Sequence, residues 1–383
     1  MIQQQQSDLF SFTPILQSTS LNENQLPSYS TYTYDLYEKK FKRTSKFVNF
    51  DQLNYIPFYS ASIKISNTND FLITGGAVLS EENQDQYLTT NFCMKISVNN
   101  DSVLISSFDS ITQTQILPSM IYARHNHKIF ELIENDKKVF IAVGGQYVTN
   151  DQFGVLNFCE KLVEGSDQWV EIAPLSKNRT GFSGFVQNNK IYILCGISGF
   201  TQQKHDIIPL TQIEVYNLTK DIWEQFKYKC PLGILIGLDS LCLPINDTKV
   251  LIIGGSKEQS ADQILILDQE KKAFIKHPQK LMIPKSKCFG KFRRNVKTKK
   301  IIREENQENI KEEEKNLIII LGGSSYQLDL EIYQLLDDEN DLSIKLLQKY
   351  DFSDVLDQDY EIEGLPNKTS WNYVFQSLPI LTE

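Results

Sequence analysis

Five times along this chain an apolar run rich in β-branched residues ends in a glycine pair or its remnant. The copies are Phe71-Leu-Ile-Thr-Gly75-Gly76, Val139-Phe-Ile-Ala-Val-Gly144-Gly145, Ile191-Tyr-Ile-Leu-Cys195-Gly196, Val250-Leu-Ile-Ile-Gly254-Gly255 and Leu317-Ile-Ile-Ile-Leu-Gly322-Gly323. Counted from the first position of each pair, the intervals are 69, 51, 59 and 68 residues. They lie near the roughly 50 residues of one repeated β unit once loop insertions are removed. An apolar run with no alternation to a polar face must be covered on both sides, as a strand is when sheets stack. Glycine at its end supplies positive φ and lets another backbone come close. A side chain forced into such a conformation costs about 1 to 3 kcal/mol. The expectation is an all-β chain of repeated, stacked sheets.

A second pattern follows each glycine pair: a strand ending in a bulky residue, six further residues, then another bulky one. The clearest copy is Ile213-Glu-Val-Tyr216-Asn-Leu-Thr-Lys-Asp-Ile-Trp223, with Asn217 to Asp221 as a polar turn. Leu162 with Trp169, Leu267 with Phe274 and Ile96 with Val103 repeat the spacing. A third element precedes the glycine pair in Met120-Ile-Tyr-Ala-Arg124-His-Asn-His127 and Leu175-Ser-Lys-Asn-Arg179-Thr-Gly-Phe182. The ordered set, from about Tyr55 to Leu347, resembles the kelch repeat: a first strand opening on Arg, a second ending in Gly-Gly, then a Tyr and a Trp. The resemblance implies a kelch-type β-propeller. Arg stands at the first-strand position only as Arg124 and Arg179, the stretches near Tyr59, Gly237 and Lys287 lack it, and Cys195 replaces a glycine.

Five units leave both ends of the chain to be placed. Thr31-Tyr-Thr-Tyr34-Asp-Leu-Tyr-Glu-Lys-Lys-Phe41 reads as the third and fourth strands of a blade, with Glu38 to Lys40 as the turn. Trp371-Asn-Tyr-Val-Phe375-Gln-Ser-Leu378 reads as an inner strand of that same blade. Six blades are therefore expected, five of them clear and the sixth closed by both termini, which removes an open sheet edge; five blades with trimmed tails, or seven, are the alternatives. The domain reading is a flexible tail over residues 1–28 and a single propeller over 29–383, with a charged insertion at 293–316 in the fifth repeat. That insertion is basic in its first half and acidic in its second. It is expected to be a solvated hairpin extension on the opposite face from the glycine pairs, with a helical turn or two in its Glu/Lys portion.

Composition bounds the function. A hydrophobic content of 41% with 22 Phe and 17 Tyr supplies a core, and a net charge of −9 argues against general affinity for nucleic acid. No stretch approaches the roughly 20 apolar residues of a membrane span, and Met1 to Gln6 lacks the regions of a secretory signal. A soluble, cytoplasmic chain is expected. The six cysteines show no paired short spacing, so buried, reduced thiols are expected rather than zinc ligands or disulfides. His125 and His127 share one strand face as the only local metal-like pair, but read better as capping and filling the start of the second blade. No cofactor, no small-molecule substrate and no catalytic constellation can be assigned.

The departures from the minimal repeat point to surfaces. Ala77 to Thr89, Gln146 to Gly154 and Ser198 to Thr211 are long loops of three adjacent blades on one face, and they carry Tyr87, Tyr147, Phe153 and Phe200. With Arg124 and Arg179 opening on the same side, these six are the expected partner-binding residues. The glycine pairs, Tyr216, Trp223 and Trp169 are expected to be structural. The resulting function is a non-enzymatic module or scaffold that binds another protein, and the resemblance implies a cytoskeletal setting. A substrate-recognition subunit of a ubiquitin ligase is the first alternative; kelch proteins of that kind usually carry a BTB or F-box region, and no residues are expected to remain for one. A kelch-type propeller enzyme is the second.

Overall fold

The computed structural model describes the strands Leu9–Phe12, Ser28–Asp35 and Lys40–Val48 and most of residues 57–351, apart from short stretches of which 99–110, 230–237 and 322–328 are the longest. Five antiparallel four-stranded sheets follow one another, each with its strands in sequence order. Blade I is Ala61–Lys64, Asp70–Thr74, Cys93–Val98 and Ile111–Ile116; blade II is Lys128–Glu134, Lys137–Val143, Cys159–Val163 and Val170–Ile172. Blade III is Ser183–Gln187, Lys190–Leu194, Gln212–Asn217 and Ile222–Lys227; blade IV is Leu241–Pro244, Lys249–Ile253, Ile264–Asp268 and Ala273–Lys276. Blade V is Phe289–Glu304, Gln307–Leu321, Asp329–Asp338 and Asp341–Asp351. The five form a β-propeller. Tight turns join first to second strands: Asn135 and Asp136 in blade II and Asn188 and Asn189 in blade III all take positive φ, the conformation a two-residue hairpin requires and Asn and Asp tolerate.

The core lies between blades rather than within them, which explains the apolar runs. Phe140 and Ala142 of the second strand of blade II pack with Leu72 and Cys93 of blade I, while Val139, Ile141 and Val143 pack with Ile191, Ile193 and Tyr216 of blade III. Leu194 of blade III meets Val250 and Ile252 of blade IV, and Leu251 and Ile253 meet Ile318 and Ile320 of blade V. The second strands of blades II, III and IV thus send alternate residues into two different cores. Phe71 and Ile73 of blade I and Leu317 and Ile319 of blade V turn away from those four cores and are buried as well. The two end blades are therefore covered on both sides.

The six-residue spacing between bulky residues is a cross-strand pair astride the hairpin of strands three and four. Tyr216 lies opposite Trp223 with ring centroids 5.0 Å apart, and Leu267 lies opposite Phe274. Trp223 also donates its indole N–H to the Ala173 carbonyl, and Trp169 donates to that of Pro118. Each tryptophan thereby ties its blade to the linker before it. Blade I departs from the pattern. Val103 lies outside the described residues, and Ile96 pairs instead with Thr114, because the fourth strand begins only at Ile111.

At the N-terminus, Ser28–Asp35 and Lys40–Val48 form a hairpin over the stretch expected as one, with Lys40, expected in the turn, already in the strand opposite Asp35. Leu9–Phe12, within the stretch expected to be a tail, is a strand paired with Ser28–Asp35. Residues 371–378, expected to complete a sixth blade, lie outside the described residues, as do Gly322 and Gly323. The charged insertion at 293–316 contains strand where a helical portion was expected: Phe289–Glu304 and Gln307–Leu321 are continuous strands, since the basic half folds back in register on the acidic half.

Candidate functional site

Arg124 and Arg179, expected as partner-binding residues, are 0% and 1% exposed. They act inside the blades. The Arg124 guanidinium donates to the carbonyls of Gly144 and Phe158 at 2.8 and 2.9 Å and pairs with Glu160 at 2.6 Å. Glu160, on the third strand, also accepts from the Ile121 backbone N–H at 2.6 Å. Arg179 repeats the arrangement with the Cys195 carbonyl at 2.9 Å and Glu214 at 2.5 Å, and Glu214 accepts from the Ser176 N–H. Each arginine thus joins the glycine turn, the third strand and the incoming linker of one blade. Removal from water lowers the pKa of both guanidiniums, and the facing glutamate partly offsets this. The sequence shows the arginines but not their glutamates, which look like surface positions until the third strand is laid against the second.

The carbonyls of these arginines explain the glycine pairs. Gly76 N–H donates to the Arg124 carbonyl and Gly145 N–H to that of Arg179, both at 2.8 Å, so each pair is bonded to the next blade. A Cβ on Gly75 would lie 2.3 Å from the Arg124 carbonyl oxygen, and one on Gly144 would lie 2.5 Å from that of Arg179. Cys195 takes the same left-handed conformation, at φ 60, as Gly75 and Gly144.

On the face where these turns emerge, the three long loops are two-stranded ribbons. They pair Ala77–Leu79 with Tyr87–Thr89, Gln146–Val148 with Phe153–Val155, and Ile197–Phe200 with His205–Ile207. The first two are joined through Thr89, whose hydroxyl donates to the Val148 carbonyl at 3.0 Å and accepts from the Val148 N–H at 2.5 Å. The third lies alongside the second. His125 braces the middle ribbon through Gln146. Phe153 is 69% exposed and Tyr87 40%. Tyr147 is half-buried, its ring folded back over Gly154 of its own ribbon. The side chain of Phe200 lies outside the described residues. Two positions that sequence reasoning passed over, Ile121 and Phe158, are also exposed on this side, and Phe158 stacks on Tyr122 at 4.5 Å.

Inside the ring of ribbons and linkers, one residue in each of blades I to IV takes positive φ at the same point before the first strand: Tyr59, Asn126, Gly181 and Asp239. They form a collar. Asn126 N–H donates to the Tyr59 carbonyl at 3.0 Å, Thr180 hydroxyl to the Asn126 carbonyl at 3.4 Å, and Asp239 N–H to the Gly181 carbonyl at 3.0 Å. Within the collar is a cavity of about 210 Å³ lined by residues in or immediately before the first strands of the five blades, among them Ser60, Ser62, His127, Gly184, Cys242 and Cys288. Among the described residues, Ser60 Oγ, Ser62 Oγ and His127 Nδ1 find no hydrogen-bond partner. The volume corresponds to several water molecules at about 30 Å³ each. His127 Nε2 meets the Thr74 hydroxyl at 2.9 Å, and that hydroxyl in turn lies 3.5 Å from the Ala61 carbonyl. This fits the tautomer with its proton on Nε2 and leaves Nδ1 as an acceptor. Burial, reinforced by Arg124, holds the imidazole well below its ordinary pKa.

His125 and His127 therefore serve different elements, and among the described residues no three His, Cys, Asp or Glu side chains converge as metal ligands. The five described cysteines, at 93, 159, 195, 242 and 288, are buried free thiols. No described helix is long and apolar enough to cross a membrane.

No protein-family model matches the chain, and no curated protein matches it. Among solved structures, one titled "Structure of YjhT" is similar over 76% of this chain and 98% of its own, at 11% identity and a TM-score of 0.46.

Proposed function

We propose that the protein is a non-catalytic docking module that binds another protein through its ribbon-bearing face, as a cytoplasmic scaffold. The observation that carries this reading is the exposure of Phe153 on a ribbon braced by its neighbours, with Tyr87 exposed on the next ribbon. A large apolar side chain on a prearranged support gives up little conformational freedom when it is covered. Aromatic anchors of this kind concentrate binding energy in a few positions. Ile121 and Phe158, on the same side, extend the surface available to a partner. The arginines have no part in it, because they are internal.

The test is recovery of partner proteins from cell extract by the tagged chain, against the variant Tyr87→Ala/Phe153→Asp. Ile133, exposed at the opposite end of blade II, supplies the control Ile133→Ser. Loss of the partner with the first variant and its retention with the control is the expected result. Equal recovery by all three folded proteins would overturn the reading.

A further inference from the structure

The first two strands of blade V run well past their sheet. The third strand pairs with the second only from Asn316 to Leu321, whereas the first pairs with the second from Val296 and Lys315 outward to Glu304 and Gln307. At about 3.3 Å per residue this two-stranded arm reaches roughly 30 Å beyond the blade. Its base is fixed: Asn295, at φ 53, marks a shift of register, its N–H donates to the Asn316 side chain, and Arg294 donates to the Ile245 carbonyl of blade IV. The arm leaves from the ends of the strands opposite to the glycine pairs, so it is separate from the ribbon face.

Two features of the arm bear on a partner. Among the described residues no other strand pairs with Lys297–Glu304 or with Gln307–Glu312, so within the described structure each presents an outer edge to which a further strand can add. The two edges also differ in charge. The strand from 296 to 304 holds Lys297, Lys299, Lys300 and Arg303 against the single acid Glu304; the strand from 307 to 315 holds Glu308, Glu312, Glu313 and Glu314 against Lys311 and Lys315. In register, Lys297 stands opposite Glu314, Lys299 opposite Glu312, Ile301 opposite Ile310 and Arg303 opposite Glu308, four positions that share one face of the ribbon. The chain's own basic strand and acidic strand are thus already matched in antiparallel register. The same match is offered again at each outer edge to another copy.

We infer that the arm is a self-association element, in which the acidic edge of one copy's arm adds to the basic edge of another's. Edge-to-edge addition makes main-chain hydrogen bonds, and alternation of basic and acidic strands sets partner and register. Basic edge against basic edge opposes like charges, so the contact joins unlike edges. Each added copy leaves one free edge of each kind, and the assembly grows rather than closing as a dimer.

Sedimentation velocity over a range of protein concentrations tests this, in about 0.01 M and about 1 M salt, where the screening length falls from roughly 30 Å to roughly 3 Å. Expected are species larger than a dimer at low salt that dissociate at high salt. A variant with residues 295–315 replaced by a short Gly-containing turn should stay monomeric, with its circular dichroism and melting temperature showing an intact propeller. A second variant exchanges the charges within each pair, Lys297→Glu/Lys299→Glu/Arg303→Glu with Glu308→Lys/Glu312→Lys/Glu314→Lys. It keeps the internal match and should associate within about tenfold of the natural chain if charge pattern, not sign, governs the contact. A natural chain that is monomeric at every concentration, or an armless variant that associates equally well, overturns the proposal. So does a monomeric natural chain whose arm binds a poly-glutamate peptide, which would make the arm a receptor for foreign acidic strands.

Discussion

Glu160 accepts from Arg124 and from the Ile121 backbone while almost entirely out of water, and Glu214 does the same for Arg179 and Ser176. Removing one member of such a pair leaves an uncompensated buried charge. Glu160→Leu is expected to destabilise the protein by about 3 to 5 kcal/mol, measured by urea unfolding. Arg124→Met/Glu160→Leu should destabilise by clearly less than the sum of the two single changes, because the second substitution removes the stranded charge. Strict additivity would show that the two groups are not coupled. The arginines were legible in the sequence as part of a repeat, but their role was not. A first-strand Arg reads equally as a rim residue or a core latch until the blade is folded around it.

Between elements, the glycine pair is where one blade meets the next, and its sequence signal reported the contact faithfully. Gly144→Ala puts a Cβ against the Arg179 carbonyl in a left-handed conformation. The conformational penalty and overpacking together should destabilise by about 2 to 5 kcal/mol. Gly199→Ala, with nothing within 4 Å of the added carbon, should change stability by less than about 0.5 kcal/mol in the same assay. The pairing of Tyr216 with Trp223 was also legible, since a hairpin turn fixes which residues face each other. The ribbons were visible only as long loops carrying aromatics. That Tyr147 folds back while Phe153 stands out depends on the ribbon register and on Gly154, and local pattern does not carry that information. In the charged insertion, Glu and Lys favour helix in isolation, yet the basic half pairs with the acidic half in antiparallel register and the segment is strand, a long-range pairing that local propensity does not carry.

For the whole molecule, acid and alkali should each loosen the propeller through groups its cores hold uncharged. His127 is buried neutral below its ordinary pKa of 6.5, so the unfolded chain takes up a proton that the folded one refuses. This contribution to stability is complete above pH 6.5 and is lost as the pH falls beneath it. Burial pushes the Cys93, Cys159 and Cys242 thiols from 9.0 up to about 12, so their contribution is complete below pH 9.0 and is lost as the pH rises toward about 12. Thermal melts across pH should show both limbs, and His127→Gln should flatten the acid limb just below pH 6.5; an unchanged acid limb would locate its origin elsewhere. By itself the sequence determined that this is a chain of stacked all-β units, because burial on both faces of a strand and the glycine at its end leave a mark at every repeat. Only the tertiary structure decided which polar residues face inward. The arginine latches, the collar around the axial cavity and the exposure of Phe153 all come from residues distant along the chain, brought together when one blade closes on the next.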